Sequence, residues 1–589
     1  MATDKLDQLK GYKKIPTSVI MKRILRYMKS EMLYLIICIL LIGLNVGFTV
    51  TFPLIMERAT NELSLPNPVL SVIIWLAAGY FALAVISQIL VYIQSMILQK
   101  IGQKMIYKLR MEVFEHIENM SLDQLNEMPV GSLVTRVANY TAAMSDLFTN
   151  VLINLLRNIL TIVVVFVVML VKSPLLTGFI SIFVAVIFVI SFFFTKVIKK
   201  LFSRAHDDLS DVNTFLNENL SGMKTIQIFN QEKRKDVEFM VKNEKYRKDR
   251  YKIVLMFAFY RPLVMTLYYV SIITTFFVAI DLKLTPGTVV AFYLYLRDFF
   301  EPIQNVADQL NNIQRAITSS EKLFNLLDVE PDVLDKPDAI EINEFKGKIE
   351  FRNVWFAYDK DEWILKDVSF VIEPRQTVAF VGATGAGKTT ILSLIVRNYE
   401  VQKGDIFIDD INIKDIKIKS LRKAIGQMLQ DVFLFTGTLK SNITLHDESF
   451  SDEEVMSACE YVKADAFINE LDKGIESDVI ERGENFSQGQ RQLISFARTV
   501  LHKPQILILD EATANIDTET ESLIQESLDK IKNIGTMLVV AHRLSTIQKA
   551  DQIIVLQKGE VVEKGKHQEL LKKHGYYHTL YDLQFKEID

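Results

Sequence analysis

The sequence predicts two joined parts: an α-helical membrane half, with six transmembrane helices and long intracellular helical loops, and an α/β soluble half. Three observations carry this. Long apolar runs fill residues 1–320 and are absent from 330–589. The second half alternates short β-branched runs with helix-compatible stretches. The glycine-rich segment GATGAGKT, residues 382–389, lies between one such strand and one such helix.

The apolar runs lie near 33–55, 69–97, 150–171, 174–198, 257–281 and 286–308. Each is long enough for a helix to cross about 30 Å of hydrocarbon. Their connections set the orientation. Residues 196–252 hold 14 Lys and Arg, whereas ELSLPNP (62–68), KSP (172–174) and DLKLTPG (281–287) are nearly uncharged. Positive charge stays on the inner side, so both termini and the soluble half are expected in the cytosol. Residues 15–29 place Ile20, Ile24 and Met28 four residues apart among Lys22, Arg23, Arg26 and Lys29. That pattern predicts a helix lying in the inner membrane interface. The connections 98–149 and 199–256 contain few Gly or Pro and predict helical spikes roughly 38 Å long.

The expected membrane domain is 1–320, with a proline- and acid-bearing linker at 321–345 and the soluble domain at 346–589. Net charge is −4, from 67 Lys and Arg against 71 Asp and Glu, which argues against a nucleic-acid partner. Two cysteines, Cys38 and Cys459, exclude a disulfide framework and read as structural.

GATGAGKT fits the pattern of a phosphate-binding loop. Gly382, Gly385 and Gly387 let backbone N–H groups curve around an anion, with Thr384 and Ala386 between them. Lys388 reaches terminal phosphates, Thr389 offers a hydroxyl to Mg²⁺, and Thr390 continues the helix start that favours negative charge. ILILDE at 506–511 ends a buried strand in two carboxylates. Asp510 is the candidate Mg²⁺ holder through water, and Glu511 the candidate base for the attacking water. A polyphosphate and Mg²⁺ are therefore the expected ligands of this half.

FSQGQRQ at 486–492 precedes a helix and begins 20 residues upstream of ILILDE. With these segments in this order, the chain resembles ATP-binding cassette exporters in the half-transporter arrangement. The resemblance covers nearly the whole chain and implies further roles. Tyr358 matches the aromatic that stacks on adenine. Gln430 matches the glutamine that senses γ-phosphate and Mg²⁺. Glu481, Arg482 and Gly483 match the segment preceding the signature. Asp517 matches the aspartate of the loop after Glu511, and His542 the switch histidine on the γ-phosphate. GSLVTRV at 131–137 resembles the first coupling helix and LSGMKTIQIFNQE at 220–232 the second.

In that family two cassettes close head to tail on two ATPs. Ser487, Gly489 and Gln490 would then contact ATP held by the other cassette. One loop and one signature per chain imply a second half-transporter as partner. Phe486 and Gln488 depart from the common LSGGQ, and ANID stands where SALD is common. These departures resemble one subunit of bacterial heterodimeric exporters, the subunit that keeps the catalytic glutamate. A heterodimer is favoured over a homodimer that tolerates Gln488. Aromatics of the last two spans, such as Tyr268, Tyr269 and Tyr293, suit loose binding of a small amphiphilic or cationic cargo within the lipid bilayer, and the intramembrane charges Arg157, Arg261, Arg297, Asp298 and Glu301 are expected to pair with one another or to line a water-filled cavity. Multidrug export is the expected function. Homodimeric export of lipid or peptide is one alternative, and an ATP-gated channel or channel regulator is another.

Overall fold

A computed structural model describes residues 15–359, 362–428, 432–510, 518–532, 534–540 and 544–585. The chain divides into two compact units, one of residues 1–119 and 126–330, the other of 120–125 and 331–589.

The first unit is helical throughout. Among the described residues, five helical runs are long and apolar enough to cross a membrane: Thr17–Leu63, Leu70–Glu118, Val130–Lys172, Pro174–Ser221 and Glu232–Asp281. A further helix, Pro286–Leu327, contains the last expected span. The expected spikes exist because the spans do not stop at the membrane. Pro174–Ser221 and Glu232–Asp281 run unbroken for 48 and 50 residues, about 72–75 Å at 1.5 Å per residue. A short helix, Met223–Ile228, turns one into the other.

Side chains on the outside of this unit are apolar and bare, among them Trp75, Phe81 and Phe188. In a bilayer such a face is covered by lipid rather than water. Inside, polar contacts link helices. Asn45 Nδ2 donates to Ser87 Oγ at 2.9 Å and Tyr295 Oη donates to Val50 O at 2.9 Å. At the outer end, Lys172 pairs with Glu57 at 2.9 Å. Thr288 Oγ1 donates to the same carboxylate at 3.0 Å.

One expectation is corrected here. The apolar face of helix Thr17–Met28, made by Ile20, Ile24 and Met28, is covered by protein and is not presented to lipid. Arg23 Nη1 reaches both oxygens of Asp328 at 2.8 Å, and Tyr27 Oη donates to Glu112 at 3.1 Å. A four-residue repeat shows that a face is apolar, not what covers it. Residues 131–137 lie in the first unit, and 120–125 belong to the second. A capping box shapes the turn into 120–125. Ser121 N donates to Gln124 Oε1 at 3.0 Å, and Gln124 N donates to Ser121 Oγ at 3.3 Å. This pairing ends the long helix at Glu118 and starts the short helix Leu122–Glu127.

The second unit holds twelve strands among its described residues. They are β1 (Ile349–Phe356), β2 (Leu365–Ile372), β3 (Thr377–Val381), β4 (Lys403–Ile408), β5 (Ile411–Asn412) and β6 (Ile425–Met428). The remainder are β7 (Gly437–Thr438), β8 (Asp478–Val479), β9 (Ile506–Asp510), β10 (Thr536–Val540), β11 (Gln552–Gln557) and β12 (Glu560–Gly565). β2, β1, β4 and β5 form an antiparallel sheet. The larger sheet runs β12-β11-β3-β10-β9-β6, parallel except for β12.

Its central strands are buried on both faces, which explains their unbroken apolar sequences. Leu507, Leu509, Met537 and Val539 face one core with the helix Gln488–Leu501. Ile506, Ile508, Leu538 and Val540 face the other, shared with the antiparallel sheet. Cys459 is buried in the first of these cores, and burial pushes its thiol up to about 12. It is an inert packing residue, as expected.

Candidate functional site

The parallel strands end on one edge of the sheet, and the candidate residues follow those ends. GATGAGKT leaves β3 and enters the helix Lys388–Ile395. Asp510 is the last residue of β9. In register, Val540 of β10 lies between Phe380 of β3 and Asp510 of β9. The carboxylate and the loop are thus two strand spacings apart, roughly 10 Å. Topology alone brings together segments more than 100 positions apart in sequence.

The loop has the backbone an anion site requires. Gly387 has φ +100 and caps the helix, and a Cβ there would lie 2.6 Å from Leu365 Cδ2. A Cβ on Gly382 would lie 2.4 Å from Leu556 O, so the loop can pass there only as glycine. Thr384 and Gly385 are exposed at the tip, and Ala386 is buried beneath them. Lys388 is only 7% exposed. Its ammonium donates to Gly382 O at 2.8 Å and Ala383 O at 3.2 Å, folding the cation into the loop's own curve. The first turn of a helix offers N–H groups without intrahelical acceptors. These features together fit a polyphosphate. Thr389 is exposed beside them, and its hydroxyl with the Asp510 carboxylate supplies hard oxygen donors of the kind Mg²⁺ takes.

Tyr358 follows the end of β1. Its hydroxyl lies 3.1 Å from Thr390 Oγ1, and its ring is half exposed. Two groups that sequence reading missed hold it there. Tyr399 packs edge-on against it at 5.1 Å between centroids. The Gln402 amide clamps Ala357, accepting from its N at 3.1 Å and donating to its O at 2.8 Å. The signal was an aromatic and an amide, YEVQ, directly before β4, with no motif to single them out.

The signature segment begins a helix. Ser487 caps Gln488–Leu501: its Oγ accepts from Gln490 N at 3.2 Å, while Gln490 Oε1 accepts from Ser487 N at 2.9 Å. The Ser487 hydroxyl therefore keeps its own proton to donate outward, and Gln490 keeps its NH₂. Gly489 is buried and, having no side chain, offers backbone only. Phe486, one of the departures, is 6% exposed and packs 6.3 Å from Phe467. It fills a core position that a smaller aliphatic would fill in the common form. Gln488 is half-buried on the first turn.

Further along that helix, burial lowers the pKa of Arg498 from its ordinary value, and Arg498 Nε donates to Asn442 O at 2.9 Å. Asn442 in turn pins Phe435 by two 2.8 Å bonds. The stretch that follows Gln430 is thereby tied to the signature helix.

Gln430, Glu511, Asp517 and His542 lie outside the described residues. The strands leading to three of them are described. Gln430 comes two residues after β6, Glu511 directly after β9, and His542 two after β10.

Comparison with known proteins matches both units. The ABC transporter transmembrane region model matches residues 35–303 and the ABC transporter model residues 365–514. YheH of Bacillus subtilis, named a probable multidrug resistance ABC transporter ATP-binding/permease protein, is 37% identical over 88% of this chain and 78% of its own. An ATP-dependent lipid A-core flippase of Syntrophus aciditrophicus is 33% identical over 84% of this chain and 83% of its own. A solved bacterial Atm1-family ABC exporter with ATP bound superposes with a TM-score of 0.80 at 25% identity, covering 94% of this chain and 98% of that one. With both units matched, one nucleotide loop and one signature, the chain belongs to the ABC transporter family as an ATP-hydrolysing, multi-pass membrane exporter of the half-transporter type.

Proposed function

We propose that this chain is one half of a heterodimeric multidrug exporter, moving small amphiphilic compounds outward by alternating access. The observation that carries the dimer is the motif count. The chain holds one GATGAGKT and one FSQGQ, and head-to-tail closure needs two of each. YheH's name supports multidrug cargo.

Within the dimer, Tyr358 stacks on adenine. Residues 382–390 cradle the phosphates, and Lys388 neutralises their charge. Thr389, Gln430 and Asp510 would hold Mg²⁺, which would supply screening of the phosphate charge. Glu511 takes a proton from the attacking water, His542 holds the γ-phosphate, and Asp517 orders the loop between the cassettes. Ser487 through its hydroxyl, Gly489 through its N–H and Gln490 through its amide contact the nucleotide of the partner. The boundaries 1–320, 321–345 and 346–589 describe the transmembrane, linking and nucleotide-binding parts. The signature departures support a partner chain of different sequence, with Glu511 serving the competent site.

Mg²⁺-dependent ATPase activity of the chain purified alone tests the pairing. A folded, ATP-binding chain with little turnover, activated by a second half-transporter, is the expected result. Robust turnover by the chain alone, abolished in Glu511→Gln, would make it a homodimer and the signature departures harmless.

A further inference from the structure

The segment after the last membrane helix is fastened, not slack. That helix ends at Leu327, and residues from 331 onward belong to the second unit. Ile340 N donates to Asp415 O at 2.8 Å, and Lys417 N donates to Ile340 O at 2.9 Å. Asp335 Oδ1 accepts from Ile418 N at 2.8 Å, and Ser420 Oγ accepts from Ile342 N at 2.8 Å. Residues 335–342 thus lie along 415–420 as an added edge, parallel where Ile340 meets Ile416.

One side chain joins this edge to the nucleotide loop's helix. The helix that opens at Lys388 ends at Ile395, and Arg397 follows its cap. The Arg397 backbone is left-handed, φ +54, at the position where helices usually carry glycine. Its side chain is only 2% exposed. A left-handed arginine and a buried guanidinium both cost free energy. Glycine would relieve the first and methionine the second.

The donors account for the arginine. Nε donates to Glu400 at 2.8 Å, Nη1 to Ile416 O at 3.2 Å and Nη2 to Leu334 O at 3.0 Å. Asp335 Oδ1 lies 3.7 Å from Nη1. The Leu334 side chain is exposed, so the chain is held at this point by charge and not by its packing. A planar fork reaches a carboxylate and two carbonyls from separate segments at once, which a lysine does not. Arg422 backs the joint, donating to Val396 O at 3.3 Å and Arg397 O at 3.1 Å. From the phosphate end of the helix to the joint is about 12 Å. Leu334 lies seven residues past Leu327.

We propose that Arg397 is a positioning residue that couples nucleotide binding to the last membrane helix through the covalent chain. Polyphosphate on the first turn of Lys388–Ile395 fixes that helix, the helix fixes Arg397, and the guanidinium fixes Leu334 and the chain leading back to Leu327. This deepens the export reading and rests on it.

The test uses the full chain, with whatever chain co-purifies, in nanodiscs and in sealed vesicles. Amide hydrogen exchange is followed with and without ATP in the absence of Mg²⁺. In wild type, ATP is expected to slow exchange in 382–390 and in 321–342. Arg397→Met should keep ATP affinity and the protection of 382–390, while the response of 321–342 falls about twofold or more. In vesicles, ATP hydrolysed per solute moved should rise in step, with ethidium or a fluorescent phospholipid as the solute. Arg397→Lys keeps the charge, loses the fork, and should behave in the same way. It carries the test if the methionine chain does not fold. Inserting two glycines between Glu330 and Pro331 leaves the joint whole and slackens the chain above it. That insertion should uncouple the transporter too, and carries the test if neither variant folds.

An undiminished response of 321–342 in a folded, ATP-binding Arg397 variant overturns the proposal. So does wild-type coupling in the glycine insertion, or a wild type whose 321–342 exchange ignores ATP. A variant that loses ATP affinity in proportion to its transport also overturns it, and makes Arg397 a support of the nucleotide site. An ATP response that reaches 321–342 in a wild type moving no solute would strike the export reading and leave the joint standing.

Discussion

Replacing Glu511 with glutamine leaves ATP binding intact and slows steady-state hydrolysis by about a hundredfold or more. The chain context carries the expectation. Residues 506–510 are a buried parallel strand, and Asp510 ends it in register with Val540, two strands from the loop that leaves β3. Glu511 is the next residue in sequence, directly after that strand. Phosphoryl transfer to water needs positioning, charge neutralisation and a proton acceptor, and only the last is lost in Glu511→Gln. The amide keeps the size and hydrogen-bonding reach of the side chain, so affinity should hold while turnover falls. Equilibrium binding of a fluorescent ATP analogue beside a phosphate-release assay checks both halves. Turnover near wild type would remove Glu511 from the role of base.

Lys388→Ala gives the complementary result, a loss of ATP affinity itself. Lys388 is held inside the loop by Gly382 O and Ala383 O, where the polyphosphate would come against it. A charge-assisted contact is worth about 1.5–3 kcal/mol, which is roughly a tenfold to hundredfold loss of affinity. Lys388→Arg should not rescue it. The ammonium is almost fully buried and reaches the loop as a point donor, and a planar guanidinium does not fit that space. Normal ATP binding by Lys388→Ala, measured by the same titration, would contradict the phosphate role.

Much of this was legible because the chemistry is local in sequence. GATGAGKT, ILILDE and FSQGQRQ each sit at the junction of a strand or loop with a helix or strand end, so their residues announce both structure and role. The membrane spans were equally plain, since a helix in lipid must be apolar over its whole crossing. What sequence reading lost was local structure that carries no composition signal, or partners that are distant. The turn at Ser121 is a capping box, S-x-x-Q, that sequence reading passed over. The apolar face of Thr17–Met28 was read correctly and given the wrong cover. Tyr399 and Gln402 support Tyr358 from more than 40 positions away, and no spacing rule reaches them.

Solute movement coupled to hydrolysis tests the central claim most directly. Sealed inside-out vesicles holding the transporter would be given Mg²⁺-ATP with ethidium outside, in parallel with vesicles carrying a fluorescent phospholipid. ATP-dependent movement of ethidium into the lumen, lost in Glu511→Gln and without Mg²⁺, is the predicted result. Solute or ion flow down its gradient that needs no hydrolysis and survives Glu511→Gln would contradict it, and would make the protein a gated channel.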